Sequence, residues 1–286
     1  MASYRYTLLD VFTDVPLAGN GLAVIHDADA IDDAMMHRIA RETRLSETSF
    51  VKTADAEGAD YRHSIWMLSG EIPFAGHPSL GTAVAVARAR GESRTTYVQQ
   101  TRPGLQPVDV EIDGLRARAS MLQEPADFGP ELDAADVMGL VRLEARDTDP
   151  AHPPQVVSTG VPQVLAFVSD VGALERAWPD YDGIGSLLAP HGAIVLYVAC
   201  LHGGHGQVRA RAFTGYAEEG EDPATGSAAG PLCACVAERG GPRELDISQG
   251  SEMGRPSRLR AVLEGDRVRV GGDAVVLVDG TLHLDG

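Results

Sequence analysis

Short runs in which apolar and polar side chains alternate recur along the whole chain. Because neighbouring side chains of a strand point to opposite faces, this alternation is typical of half-buried antiparallel strands. The runs are YRYTLLDVF, LAVIH, TSFVK, YRHSIWM and TYVQQ, followed by VDVEI, RARASM, QVLAFV, AIVLYVACL, QVRARAF, LRAVLE, DRVRVGG and AVVLVDG. The pattern predicts a protein built mainly of strands.

Helical spacing is confined to a few segments. DDAMMHRIARETRL carries Asp32 as a candidate N-cap. PSLGTAVAVARARG runs from Pro78 to Gly91, and SAAGPLCACVAERGGP begins at Ser227 and ends at Gly240, Gly241 and Pro242. PELDAADVMGLV and DVGALERAW are further candidates. Many strands with few helices, and no regular alternation of the two, indicate the α+β class.

An internal repeat divides the chain into two similar halves. The segment GEIPFAG at 70–76 recurs as GEDPATG at 220–226. Each copy follows a strand-like run and leads into a helix rich in small residues, which suits close packing against surrounding strands. We therefore predict two similar domains, each with one long central helix.

The chain is strongly acidic. Its 24 basic and 41 acidic residues give a net charge of -17. Such a surface repels phosphate backbones and anionic lipid, so neither nucleic acid nor a membrane is expected as a partner, whereas a small anionic substrate can still bind in a locally positive pocket. The longest apolar run is too short to cross a bilayer and the first residues lack a signal pattern, so we expect a soluble, cytoplasmic protein.

No segment matches a cofactor-binding pattern. GxxxxGK[ST] does not occur, and Gly19-Asn20-Gly21 lacks the third small residue of a dinucleotide-binding turn. A pyridoxal-phosphate enzyme needs a lysine, and the only lysine, Lys52, lies in a strand-like run. The sequence predicts an activity without a cofactor.

Neither the cysteines nor the histidines show the spacing of a metal site. Cys200, Cys233 and Cys235 are few, odd in number and without a CxxC pair, which favours core packing. His202 and His205 form the only close histidine pair, and a loop is their simplest interpretation. No metal is predicted.

The repeated segments place polar groups at two predicted helix starts. The first N–H groups of a helix lack partners within the helix and carry partial positive charge, so a helix start suits a carboxylate. The same residues also fit ordinary caps, but two such starts facing each other across a cleft could hold one small anion. His77 and Asp222 lie beside these starts, and each is also compatible with a plain cap or turn residue. Glu47, in RLSETSF, is by itself typical of a capping or solvated residue.

Five longer segments resemble the PhzF-like isomerases of phenazine biosynthesis. They are DVFTDVPLAGNGLAV, IARETRLSETSFV, GEIPFAGHPSLGTA, EDPATGSAAGPL and QGSEMGRPS, in the family's order, and they span positions 10 to 257. The resemblance implies a diaminopimelate epimerase-like fold with two similar domains, each a mixed β-barrel around a central α-helix, and an active site in the cleft between them. We place the first domain at 1–120, completed by a C-terminal strand at 276–286, and the second at 121–275.

The resemblance also assigns roles to particular residues. It implies that Glu47 is the catalytic acid/base and that His77 and Asp222 act beside it at the substrate. Four residues of the two turns would hold the substrate by backbone and hydroxyl groups: Gly76, Thr225, Gly226 and Ser227. The implied reaction is a cofactor-independent proton shift on a small cyclic carboxylate such as a dihydro-hydroxyanthranilate. It requires a Glu47 whose pKa is raised toward neutrality by burial or by Asp222.

Departures from the family pattern limit what can be carried over. Related racemases use two cysteines, and this chain has Ala75 and Pro223 at the positions we assign to them, so a two-cysteine racemisation is excluded. Trp66 and Met67 are expected to reshape the pocket wall. The resemblance also implies a homodimer. Two other functions stay open: a non-catalytic binding or scaffold protein that keeps the cleft, and a metal-dependent hydrolase built on the scattered histidines.

Overall fold

The chain folds as two structural units. The computed structural model describes residues 2–284. The first unit takes in the chain up to Met121 and again from Gly271, and the second extends from Leu122 to Val270. The return to the first unit therefore comes before the strand predicted at 276–286, of which positions 285 and 286 lie outside the described residues.

Strands make up most of both units. They are β1 Ala2–Val11, β2 Asn20–Ile25, β3 Glu47–Lys52, β4 Tyr61–Trp66, β5 Glu71–Ile72, β6 Arg94–Gln100, β7 Leu105–Asp113, β8 Arg116–Leu122, β9 Asp127–Glu131, β10 Gln155–Ser158, β11 Pro162–Phe167, β12 Val195–Leu201, β13 Gln207–Thr214, β14 Glu221–Asp222, β15 Glu244–Gln249, β16 Ser257–Glu264 and β17 Arg267–Leu284. Every run predicted from alternation lies largely within a strand. DRVRVGG and AVVLVDG, predicted as separate strands, are both part of β17.

Helices accompany the strands in both units, and some of their ends are closed by identifiable capping residues. They are α1 Asp33–Thr43, α2 Gly76–Arg90, α3 Ala134–Gly139, α4 Val171–Arg176, α5 Tyr181–Leu188 and α6 Gly226–Glu238. Asp32 caps α1 by accepting from the Met35 N–H at 2.8 Å. Gly91 ends α2 in the left-handed conformation that glycine adopts without strain. No helix in the described part of the chain is long and apolar enough to span a membrane.

The strands of the first unit close into a barrel. In order of pairing the ring runs β1, β2, β3, β4, β6, β7, β8 and β17, and β17 pairs with β1 again. The β2–β3 and β4–β6 pairs are parallel. A ring closed in this way leaves none of these strands as an open edge.

Helix α2 is enclosed by this barrel. It contacts β1, β2, β3, β4, β6 and β7, and its residues from Gly76 to Ala87 are buried. Small residues allow this close approach: a Cβ added to Gly81 would lie 2.6 Å from Cδ2 of Leu22 and 2.8 Å from Cγ2 of Val11. A helix that is apolar or small on every side is typical of a buried central position.

The second unit repeats the order and direction of these pairings. Its pairings are, in order, β10–β11, β11–β12, β12–β13, β13–β14, β13–β15 and β15–β16. Each has the same direction as its counterpart in the first unit, where the pairings are β1–β2, β2–β3, β3–β4, β4–β5, β4–β6 and β6–β7. Helix α6 takes the place of α2 and is buried from Gly226 to Val236. The repeat predicted from the sequence is confirmed.

An apolar cluster in the second unit joins α3, α4 and α5 to the sheet. Its members include Val137 and Met138 of α3, Ala173 and Leu174 of α4, Ile184 and Leu188 of α5, and Val164, Leu196 and Phe213 of the strands. The sequence did not predict α5. Two glycines weaken its helical pattern, and one of them, Gly185, is required because an added Cβ would lie 2.8 Å from the carbonyl oxygen of Gly215.

Candidate active site

Glu47 is the first residue of β3, and it is buried. The parallel pairing of β3 with β2 sets Glu47 opposite Leu22, in a strand whose residues are all buried. Glu47 is 9% exposed. Taken alone it looked like a capping or solvated residue, and that interpretation is wrong, because β2 and the packing of α2 on β3 remove it from water.

A neutral imidazole lies beside this carboxylate. His77, the second residue of α2, is 3% exposed, and its Nε2 lies 3.2 Å from Oε2 of Glu47. The two atoms do not form a hydrogen bond of ordinary geometry. Burial lowers the pKa of His77 to about 3, so the ring is neutral near pH 7. The pair is therefore a carboxylate next to an uncharged imidazole and not an ion pair.

Asn20, the first residue of β2, determines where the imidazole carries its hydrogen. Nδ2 of Asn20 lies 3.0 Å from Nδ1 of His77. An amide nitrogen only donates, so Nδ1 accepts and the ring hydrogen is on Nε2, the nitrogen next to Glu47. Sequence reasoning met Asn20 in a rejected dinucleotide turn and in a segment of the family resemblance, but it assigned the residue no role. A polar residue opening a wholly buried strand is the signal that could have identified it.

A second buried polar network supports β3 and α2. Ser49 Oγ lies 2.9 Å from Nε2 of His63, whose Nδ1 lies 3.0 Å from Oε1 of Gln99. Nε2 of Gln99 donates to the carbonyl of Ser79 in α2 at 2.6 Å. Burial lowers the pKa of His63 to about 4, so this ring is also neutral near pH 7. The network fixes the strand that carries Glu47 against the helix that carries His77.

The corresponding turn of the second unit carries a carboxylate and two hydroxyl groups. Asp222 ends β14, and Thr225 Oγ1 donates to its Oδ2 at 2.6 Å. Ser227, the second residue of α6, takes the place of His77 in the repeat and is 6% exposed. Nε2 of Gln163 lies 3.5 Å from Ser227 Oγ. Gly226 begins the helix.

The residues predicted for the site thus fall into two groups, one in each unit. Glu47, Gly76 and His77 lie together in the first unit. Asp222, Thr225, Gly226 and Ser227 lie together in the second. The two copies of the repeat differ in chemistry, with a carboxylate and an imidazole in the first and a carboxylate and hydroxyls in the second.

The indole ring of Trp66 packs in the core of the first unit. Trp66 is 7% exposed and belongs to an apolar cluster with Ile25, Met36 and Phe50, and its ring centroid lies 5.7 Å from that of His37. The ring of Trp66 is packed in the first unit's interior, and the effect expected of it on the pocket wall stays a prediction. The role expected for Met67 stays a prediction.

The three cysteines are buried, and burial raises the pKa of each thiol. This confirms the core packing expected for them. Cys233 and Cys235 lie inside α6, beyond its first turn. Among residues 2–284, no group of histidine, cysteine and acidic side chains is arranged to hold a metal ion.

The sequence matches a known family over nearly its whole length. The match is to the family described as phenazine biosynthesis-like protein, and it covers residues 9–280. The chain belongs to this PhzF-like family. A trans-2,3-dihydro-3-hydroxyanthranilate isomerase from Pseudomonas fluorescens is 32% identical to the PhzF-like chain in an alignment 293 positions long. The alignment covers 98% of this chain and 100% of that relative.

Solved structures resemble the PhzF-like chain along its whole length. A predicted epimerase from Pseudomonas aeruginosa has a TM-score of 0.88 at 36% identity, with 99% of this chain and 100% of that one covered. A probable proline racemase from Agrobacterium radiobacter shares the fold, with a TM-score of 0.67 at 11% identity and coverage of 99% and 93%. The PhzF-like chain is an isomerase with a diaminopimelate epimerase-like fold.

Proposed function

We propose that this isomerase moves a proton on a small cyclic amino or hydroxy carboxylate, without a cofactor, and that Glu47 is the acid/base. The observation that carries the proposal is the buried Glu47 carboxylate 3.2 Å from a neutral His77. A charged imidazolium at this distance would stabilise the carboxylate and weaken it as a base, whereas a neutral ring does so far less. Burial of Glu47 acts in the same direction, since it disfavours the charged form.

The proton shift needs no atoms from outside the substrate. The Glu47 carboxylate removes a proton from one carbon and becomes a neutral carboxylic acid. The electron pair of that C–H bond moves into the conjugated system, a double bond changes place, and the acid returns the proton to another carbon. General acid–base catalysis of this kind contributes about 10²–10⁴-fold to a rate.

The other predicted residues bind and orient the substrate in this proposal. His77 carries its hydrogen on Nε2 and can donate to a developing negative charge next to Glu47. Asp222 accepts from an amino or hydroxyl group, and Thr225 supports it. The backbone N–H groups at Gly76 and Gly226 and the Ser227 hydroxyl hold the carboxylate. The substrate class is supported by the activity for which the Pseudomonas fluorescens relative is named, trans-2,3-dihydro-3-hydroxyanthranilate isomerisation. The homodimer and the cytoplasmic setting stay predictions.

The test is isomerisation and solvent exchange with trans-2,3-dihydro-3-hydroxyanthranilate in D₂O, followed by absorbance and NMR. We expect Glu47→Gln to lower both rates by about 10²–10⁴-fold while an anthranilate analogue still binds. Glu42→Gln is the matched control, because Glu42 is exposed at the end of α1, and it should behave as the wild type.

Two results would contradict this function in different ways. Full activity in Glu47→Gln would show that another group moves the proton. A wild-type protein that binds the analogue without turnover or exchange would instead support the alternative of a non-catalytic binding or scaffold protein.

A further inference from the structure

A buried amide connects the backbone and side chains around Asp222. Gln249, the last residue of β15, is 1% exposed. Its Oε1 accepts from the Thr225 N–H at 3.1 Å and from the Tyr197 hydroxyl at 2.9 Å. Its Nε2 donates to the Asp222 carbonyl at 2.7 Å and to Thr225 Oγ1 at 3.0 Å. One side chain therefore holds the turn that precedes α6 through both ends of its amide.

The direction of these hydrogen bonds is fixed by chemistry. A backbone N–H only donates, so the amide oxygen must face Thr225 N and the NH₂ group must face Thr225 Oγ1. Because Thr225 Oγ1 accepts from that NH₂ group, its own hydrogen goes to Oδ2 of Asp222 at 2.6 Å. Burial, and after it the charge of Asp222, raises the pKa of the Tyr197 phenol, which stays a donor. The chain of donors ends on the Asp222 carboxylate.

The first unit has an amide at the equivalent position, but its partners differ. Gln99 lies 150 positions before Gln249, also in the strand that follows the central helix. It bonds to Ser79 of α2 and to His63 of β4. In the second unit the corresponding amide bonds instead to the turn before the helix, where residue 222 lies.

We propose that Gln249 is a positioning residue, which acts through Thr225 to hold the Asp222 carboxylate as an oriented acceptor for the substrate. This inference rests on the substrate-binding role proposed above for Asp222. The bond from Thr225 to Oδ2 sets the plane of the carboxylate, and Gln249 in turn sets the direction of the Thr225 hydroxyl. A misoriented carboxylate lowers the rate of a positioned reaction more than it lowers affinity.

Gln249→Glu tests this role, because it keeps the shape and the accepting oxygen and loses the donating NH₂ group when ionised. At pH 8 we expect kcat on trans-2,3-dihydro-3-hydroxyanthranilate to fall by about 10–100-fold, with KM changed by less than about threefold. Protonation of the introduced carboxylate restores a donor. The kcat of the variant relative to wild type should therefore rise as the pH is lowered from about 8 to about 6.

Tyr197→Phe is the matched control. It removes one buried hydrogen bond from the same amide but leaves the bonds to Thr225 and Asp222, so its kcat should stay within about threefold of wild type. A loss in Gln249→Glu that does not depend on pH, or an equal loss in Tyr197→Phe, would mean that Gln249 only supports the fold and would overturn the proposal.

A second readout does not need turnover. Three-bond couplings to the Thr225 methyl carbon, measured by NMR, should report one rotamer in the wild type and an average of rotamers in Gln249→Glu. A single unchanged rotamer in the variant overturns the inference. A wild type without turnover on this substrate overturns the proposed function instead, and the rotamer still decides the role of Gln249.

Discussion

Asn20 donates to Nδ1 of His77 across 3.0 Å and so keeps the hydrogen of that ring on the nitrogen beside Glu47. The contact joins the first residue of β2 to the second residue of α2, and both residues are buried. The side-chain amide of Asn20 therefore determines which tautomer of His77 lies beside the Glu47 carboxylate.

Asn20→Asp should reverse this control. A carboxylate accepts from Nδ1–H and attracts positive charge, so it should move the ring hydrogen to Nδ1 and raise the pKa of His77. A protonated His77 would weaken Glu47 as a base, and we expect kcat near pH 7 to fall by about 10²-fold. Nitrogen-15 NMR of the ring and the pH profile of kcat would measure both effects. An unchanged tautomer together with unchanged kcat would contradict the role given to Asn20.

Ser227→Ala should weaken substrate binding more than it weakens the fold. A hydrogen bond to a charged group contributes roughly 1.5–3 kcal/mol, so the Kd for an anthranilate-type carboxylate should rise by about 10–100-fold. Calorimetric titration and thermal unfolding would measure the two quantities. Ser186→Ala is the control, since that exposed hydroxyl of α5 bonds only within its own helix. An unchanged Kd in Ser227→Ala would show that the start of α6 does not hold the substrate.

Acid should destabilise the first unit through its buried histidines. Burial lowers the pKa of His26 and of His63 to about 4 and that of His77 to about 3. In the unfolded chain each takes up a proton near pH 6.5. The unfolded state therefore binds more protons as the pH falls from about 6.5 to about 4, and stability is lost across that window at about 1.4 kcal/mol per pH unit for each histidine.

Urea unfolding at several pH values between 7 and 5 would measure this slope. His26→Gln keeps a hydrogen-bonding group opposite Thr7 and removes one titrating group. The change in its free energy of unfolding per pH unit should therefore be smaller by the contribution of one histidine. Hydrogen exchange should show protection lost first in the first unit, where all three histidines lie. Equal slopes in His26→Gln and wild type would exclude His26 as a contributor.

Gly81→Ala should destabilise the protein although alanine favours helices. The added methyl would press on Leu22 and Val11 inside the barrel, and overpacking of this kind costs about 1–3 kcal/mol. Gly139→Ala is the matched control, because a Cβ at that exposed end of α3 meets nothing within 4 Å, and it should be neutral or stabilising by up to about 1 kcal/mol. Urea midpoints would measure both. A neutral Gly81→Ala would mean that the barrel can expand around α2.

The sequence predicted those features that depend on local pattern. Alternation identified the long strands, and the repeated GExPxxG segment identified the two central helices. The two-residue strands β5 and β14 are too short for any periodicity to reveal. Helix α5 was missed because Gly185 is selected by its contact with Gly215 and not by helix propensity.

The family resemblance predicted which residues form the candidate site. It did not predict the contacts that hold those residues in place. The burial of Glu47 depends on a parallel strand formed more than twenty residues earlier and on the packing of α2. Asn20 contacts His77, which lies 57 positions away along the chain. The partners of Gln249 lie between 24 and 52 positions away. Contacts of that separation are set by the tertiary fold, so neither composition nor spacing could disclose them.

The unbroken strand β17 also has a consequence for how the protein is made. Its later residues pair with β1, at the opposite end of the chain, while the second unit ends at Val270. Such distant partners meet slowly, because a long loop must close first. On the ribosome the half that is synthesised first is therefore the half that is finished last. A nascent chain stalled before β17 would present β1 as an unsatisfied edge, open to strand exchange with a neighbouring polypeptide.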